Sequence, residues 1–182
     1  MTTYPIDPLF DPQVIGAKVR ELGDRLQREV ASSDPLVIAI LGGSVIFLAD
    51  LIRTISEPLR FEFVHVHFYA GEQGDLMRIH YPLPVEVAGE NILVVKDVVS
   101  SGVIESYLHS QLRQHGAREV RFAALIDMPA ERKTSFTLDY GAFSIERSGT
   151  FVGYGLKHQG RYGNLPFIGQ LRTPAEDGGG AA

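Results

Sequence analysis

The chain has 182 residues, no cysteine and a formal net charge of -5; 45% of its residues are hydrophobic and 21% charged. One domain of ordinary size is expected, at about 100–200 residues per domain, and the composition excludes a disordered chain. The acid excess argues against a large footprint on duplex nucleic acid, and the lack of cysteine excludes disulfides, thiol catalysis and Cys-ligated zinc, in keeping with a reducing cytoplasm.

The first five residues, Met1-Thr2-Thr3-Tyr4-Pro5, carry neither a basic nor an apolar targeting region. Asp11-Pro12 opens a helix, with Asp11 as N-cap and Pro12 in the first turn. Ile15, Val19, Leu22, Leu26 and Val30 then form one apolar stripe, predicting a helix that ends near Ala31. Residues 37–41 are continuously apolar, as in a strand covered on both faces. Gly42-Gly43-Ser44 breaks that run, and Val45, Leu48, Leu51, Ile52 and Ile55 return to helical spacing. The apolar stretch 45–51 is far short of the roughly 20 residues a membrane helix needs, so no membrane association is expected.

Residues 61–68 alternate and are aromatic and β-branched, which predicts a strand. The Gly-rich, polar stretch 70–77 reads as a mobile loop. Residues 92–99 make a second buried strand. Ser100-Ser101-Gly102 turns into a helix carrying Ile104, Leu108, Leu112 and His115, closed by Gly116. Residues 120–126 are a third buried strand, and 143–145 and 151–156 are shorter candidates. Strands alternating with helices predict an α/β fold, an open parallel twisted sheet with flanking helices and right-handed crossovers. One domain over 1–172 is expected. Residues 173–182 hold no apolar side chain larger than Ala and read as a disordered tail.

In such a sheet, ligands bind outside the carboxyl ends of the strands. Two strand-to-helix turns are rich in small residues there. They are Leu41-Gly42-Gly43-Ser44 and Lys96-Asp97-Val98-Val99-Ser100-Ser101-Gly102. Backbone N–H groups at such a turn suit phosphate, although a Gly-rich turn also serves simply as a tight connection. Lys157, His158 and Arg161 are a candidate anion site. His65 and His67, two apart on a strand, face one side but lack a third metal ligand, so no metal site is expected from them.

The second turn resembles the phosphoribosyl-pyrophosphate loop of type I phosphoribosyltransferases. That loop runs through two acids, two apolar residues, Asp, Thr or Ser, and Gly. Here the acid pair reads Lys96-Asp97, the apolar pair Val98-Val99, and the remainder Ser100-Ser101-Gly102, followed by Val103-Ile104. The stretch from Leu41-Gly42-Gly43-Ser44 to Leu51 is similar to the pyrophosphate loop of the hypoxanthine-guanine branch. Ala124-Leu125-Ile126-Asp127-Met128-Pro129 is similar to its strand leading to the purine site. Phe151-Val152-Gly153-Tyr154-Gly155-Leu156 and Asn164-Leu165-Pro166-Phe167-Ile168-Gly169 resemble its C-terminal hood. The likeness covers roughly residues 10–171. It implies the phosphoribosyltransferase type I fold with a small hood formed by the termini.

It also implies a reaction, attachment of a purine to the ribose of phosphoribosyl pyrophosphate with magnesium and release of pyrophosphate, and a homo-oligomer of two or four chains. The polar positions depart from the pattern. The proposed general base is replaced by Ser100, which cannot act as a base near neutral pH without activation. Lys96 replaces the first acid of the ribose-binding pair, while Asp97 keeps the second. Gly42 replaces the Lys of the pyrophosphate loop, and Met128 replaces the Lys that donates to the purine 6-oxo group. Lys157 replaces the Asp that binds magnesium and the purine edge, and Gly163 replaces an Arg. Thr150 stands where the base-stacking aromatic belongs; a one-residue shift would give that role to Phe151, beside Val152.

The expectation is therefore a weakly active or inactive relative that retains nucleotide or sugar-phosphate binding, doubtful in its use of Mg2+, as a regulator or as partner of an active paralogue. A functional purine transferase with substitute residues, or a transferase for another base, is the alternative.

Overall fold

A computed structural model describes residues 4–71, 74–80 and 86–172. The first strand β1 (Ile6–Phe10) leads into helix α1 (Pro12–Glu29). The Asp11 carboxylate caps α1, accepting from the Gln13 and Val14 N–H groups at 2.8 Å. Its apolar stripe is buried as the spacing requires, with Ile15, Val19, Leu22, Leu26 and Val30 all in the core.

Strand β2 (Leu36–Ile40), helix α2 (Ser44–Ile52), strands β3 (Arg60–Gly71), β4 (Gly74–His80) and β5 (Asn91–Val99), helix α3 (Val103–Gln114), and strands β6 (Glu119–Asp127) and β7 (Tyr140–Ser144) complete the main body. The six-stranded sheet has the order β4-β3-β2-β5-β6-β7. All its pairings are parallel except β3 with β4. Successive side chains on a strand face opposite ways, and the two faces bury separate cores. Val37, Ala39, Leu93, Val95, Ala123 and Leu125 pack beneath α1 and α2. Ile38, Ile40, Ile92, Val94 and Phe122 pack against Leu108 and Leu112 of α3. Coverage on both faces explains why the central strands read as unbroken apolar runs.

The stretch 70–77 differs from its expected form. Gly71 pairs with Gly74 and Ala70 with Asp75, so β3 and β4 form an antiparallel hairpin rather than a loop. Cross-strand hydrogen bonding overrides the weak strand propensity of glycine.

A second sheet, β1 with β9 (Ile168–Leu171) and β8 (Phe151–Val152), is antiparallel and brings the two ends of the chain together. This is the hood. Arg172 fastens it through both carboxylate oxygens of Asp7 at 2.6 Å. Residues 173–182 lie outside the described residues. Among the described residues, no helix is long and apolar enough to cross a membrane.

The chain leaves β2 through α2 toward β3 on one side. It leaves β5 through α3 toward β6 on the other. The crevice between the ends of β2 and β5 is thus the topological switch point, where open α/β sheets bind ligands.

Candidate functional site

Both small-residue turns end at that crevice. They are joined directly: the Gly43 N–H donates to Asp97 Oδ2 at 3.1 Å. A Cβ on Gly43 would overlap the Asp97 carboxylate and lie 3.2 Å from the Gly155 carbonyl oxygen. Glycine is therefore required by close approach of three segments. Ser44 is fully buried and its hydroxyl donates to the Ile40 carbonyl, so it is committed to holding the turn.

The hood folds over this edge. Gly155 N–H donates to the Gly163 carbonyl at 2.9 Å, and His158 and Arg161 exchange backbone bonds at 3.0 and 3.1 Å. Tyr154 pins the segment to α2, its phenol donating to Asp50 Oδ2 at 2.6 Å. Burial first, then the Asp50 carboxylate, pushes that phenol far above the usual tyrosine range. Under the hood lies a cavity of about 440 Å³, with Gly42, Val45 and Ile46 on one side and Lys157, Arg161 and Tyr162 on the other. Among the described residues, two cations line it and no carboxylate does. Gly163 makes room for this arrangement, because a Cβ there would sit 2.8 Å from Lys157 Cγ. A Cβ on Gly42 would meet nothing within 4 Å. The structure thus joins Gly42 to Lys157 and Arg161, which lie far from it in sequence, and Arg161 makes further contacts of its own.

The β5–α3 turn is built differently. Gly102 takes the left-handed conformation, φ 77°, before α3 begins, and glycine adopts it at little cost. The Ser101 hydroxyl accepts from Val103 N–H at 3.4 Å. Arg132 braces the turn, donating to the Ser100 carbonyl at 2.5 Å and ion-pairing with Asp127. Lys96 does not project alone into the crevice. Its ammonium is bound by Glu105, a residue of α3 that the sequence analysis passed over. An acid in the first turn of a helix is ordinary, so only the burial of Glu105 distinguishes it.

Other expected site residues are less available. Met128, Phe151 and Val152 are core residues, 3%, 7% and 0% exposed. Thr150 is half-buried. Ile104 packs against the α3-side core, whereas Val103 is 47% exposed. His65 is exposed on β3, and the side chain of His67 lies outside the described residues. Among the described residues, no three metal-binding side chains converge.

Comparison with known proteins bears on this geometry. Residues 6–159 match the phosphoribosyl transferase domain family. The chain is 35% identical over 166 residues to the hypoxanthine-guanine phosphoribosyltransferase of Bacillus subtilis, covering 90% of this chain and 92% of that protein. It is 36% identical to the enzyme of the same name from Lactococcus lactis, covering 90% of each. A crystal structure of a hypoxanthine-guanine phosphoribosyltransferase from Bacillus anthracis superposes with a TM-score of 0.83 at 30% identity, over 93% of this chain and 100% of that one.

Proposed function

The chain belongs to the phosphoribosyltransferase family, in its hypoxanthine-guanine branch, and from that membership we propose that it keeps the family's phosphate site but not its turnover. The ligand is a nucleoside monophosphate or a phosphoribosyl compound held by its phosphate. In this reading the protein serves as a regulator, or as partner of an active paralogue, in an assembly of two or four chains.

The observation that carries this reading is the cavity beneath the hood, lined among the described residues by Lys157 and Arg161 and by no carboxylate. Ammonium and guanidinium groups bind phosphate directly through charge-assisted hydrogen bonds. Magnesium, which the family reaction uses, does not fit this donor set. It needs carboxylates together with substrate phosphates. Here Lys96 and Lys157 occupy two of the relevant positions, and Asp97 already accepts the Gly43 and Val98 N–H groups.

Support for lost turnover comes from Ser100 and Met128. Ser100 offers an alkyl hydroxyl where the resemblance implies a carboxylate base. Met128 is buried and carries no donor for a purine oxygen. Incubation with hypoxanthine or guanine, phosphoribosyl pyrophosphate and Mg2+ should yield no nucleoside monophosphate at a useful rate. Turnover near about 10 s⁻¹, typical of enzymes, would overturn the reading.

One observation favours the second reading, an active transferase with substitute groups. The Asp127 carboxylate is held by the same Arg132 guanidinium that holds the Ser100 carbonyl, so an acid does stand beside the altered turn. If it serves as the base, Asp127→Asn abolishes whatever turnover is measured.

A further inference from the structure

Lys96 and Glu105 bracket the β5–α3 turn from its two sides, one near the end of the strand and one in the first turn of the helix. The Glu105 side chain is 1% exposed and the Lys96 side chain 13%. A carboxylate this deeply buried is strongly destabilising without a counter-charge. The N-terminus of α3 supplies about half a charge at best, and Lys96 supplies a whole one in direct contact.

We propose that Glu105 is a specificity-determining residue of this turn: buried on α3, it requires a cation at position 96, and the ammonium so held takes the place of a metal-binding carboxylate at the end of β5 and closes it to a divalent cation. This rests on the reading that the crevice receives a phosphate. The two residues then act as one unit. A carboxylate cannot be placed at position 96 by a single substitution, because it would meet Glu105 inside the protein. Like charges forced together in a dry site do not both ionise. Metal independence is thus set by a helix residue that need not touch the ligand, acting through its partner on the strand.

The test is a melting comparison of the full chain with Lys96→Glu, Glu105→Gln and the two together. Lys96→Glu should lower Tm by about 10 °C or more, or prevent folding, as loss of a buried ion pair does. Adding Glu105→Gln should restore most of that loss, since the buried acid is gone and an amide can donate to the new carboxylate. Glu105→Gln alone should cost only a few degrees, because Lys96 reaches water. A Lys96→Glu protein as stable as the parent, or a double variant no better than the single one, overturns the proposal.

A second measurement reads specificity. Guanosine monophosphate should raise the parent Tm equally in Mg2+ and in chelator, whereas in the double variant the shift should grow at least several-fold with Mg2+. A double variant indifferent to Mg2+ refutes the exclusion of the metal. A parent that responds to no phosphate compound removes the phosphate reading, and the specificity role with it. The melting comparison alone then still decides whether Glu105 requires its cation.

Discussion

The β2–α2 turn and the β5–α3 turn lie side by side at the carboxyl edge of the sheet, joined by one bond from Gly43 to Asp97. Their charges are arranged in opposite ways. The β2–α2 turn holds no charged side chain, and its glycine opens onto a cavity whose cations come from the hood. At the β5–α3 turn the cations are matched within the protein, Lys96 to Glu105 and the bracing Arg132 to Asp127, while the Asp97 carboxylate accepts backbone N–H groups. A turn emptied of charge can accept a ligand's charge. A turn whose charges are neutralised internally contributes backbone N–H groups and rigidity instead. In the reading proposed above, the two turns together make a site that would bind an anion at one side and is fixed in place at the other.

The largest effect that would break this picture is catalytic. Ser100→Asp alone should leave conversion of hypoxanthine or guanine to the monophosphate at least about 10²-fold below a typical enzyme rate. Groups that act as a unit are not restored singly. Product analysis by chromatography checks this, and family-level turnover in that variant would mean that the internally matched turn had lost nothing but its base.

Next in size is Arg132→Ala. It leaves the Ser100 carbonyl and the Asp127 carboxylate without their brace, and the Asp127 side chain is only 22% exposed. A loss of about 2 kcal/mol in denaturant unfolding is expected. The counterpart in the open turn is Lys157→Ala, which should leave stability within about 0.5 kcal/mol while weakening phosphate-ester binding at least about 10-fold. Asp11→Ala, remote from both turns, should cost about 1 kcal/mol through loss of the α1 cap.

The smallest effect is in acid. The Arg172 hydrogen bond holds the Asp7 carboxyl below its ordinary value, as the Arg60 hydrogen bond does for Glu90. A depressed native pKa contributes stability that is present above the unfolded value, about 4, and is lost as pH falls through the lower native value. Both groups lie at the surface, so water screens them. Asp7→Asn should therefore lower stability slightly at pH 7 and flatten the acid limb of the stability curve, so that the difference from the parent fades below about pH 4. A large loss at neutral pH would show that the hood depends on this pair more than its exposure suggests.

How much of this was legible in the sequence follows from where the forces act. Helix α1 is marked by its stripe and cap, and β2, β5 and β6 by continuous apolar runs, because burial on both faces selects residues locally. Strands β1 and β9 left no such mark. They are short, β1 contains Pro8, and Ile6 finds its partner at Leu171. The β3–β4 hairpin was hidden by the glycines at its turn. The resemblance located the two turns, and the altered residues Lys96, Ser100, Gly42 and Lys157 were visible by position. What each one does was not. Lys96 and Glu105 carry no sequence sign of burial, and the Gly163–Lys157 accommodation depends on two hood segments meeting in space.

The central claim is binding of phosphate without a metal in a site that has lost its turnover. Calorimetric titration of the purified protein with guanosine monophosphate and with phosphoribosyl pyrophosphate, first with Mg2+ and then with chelator, tests it most directly. The account predicts saturable binding of at least one of the two, with the same affinity in both conditions. Binding that vanishes in chelator, or no binding in either condition, contradicts it.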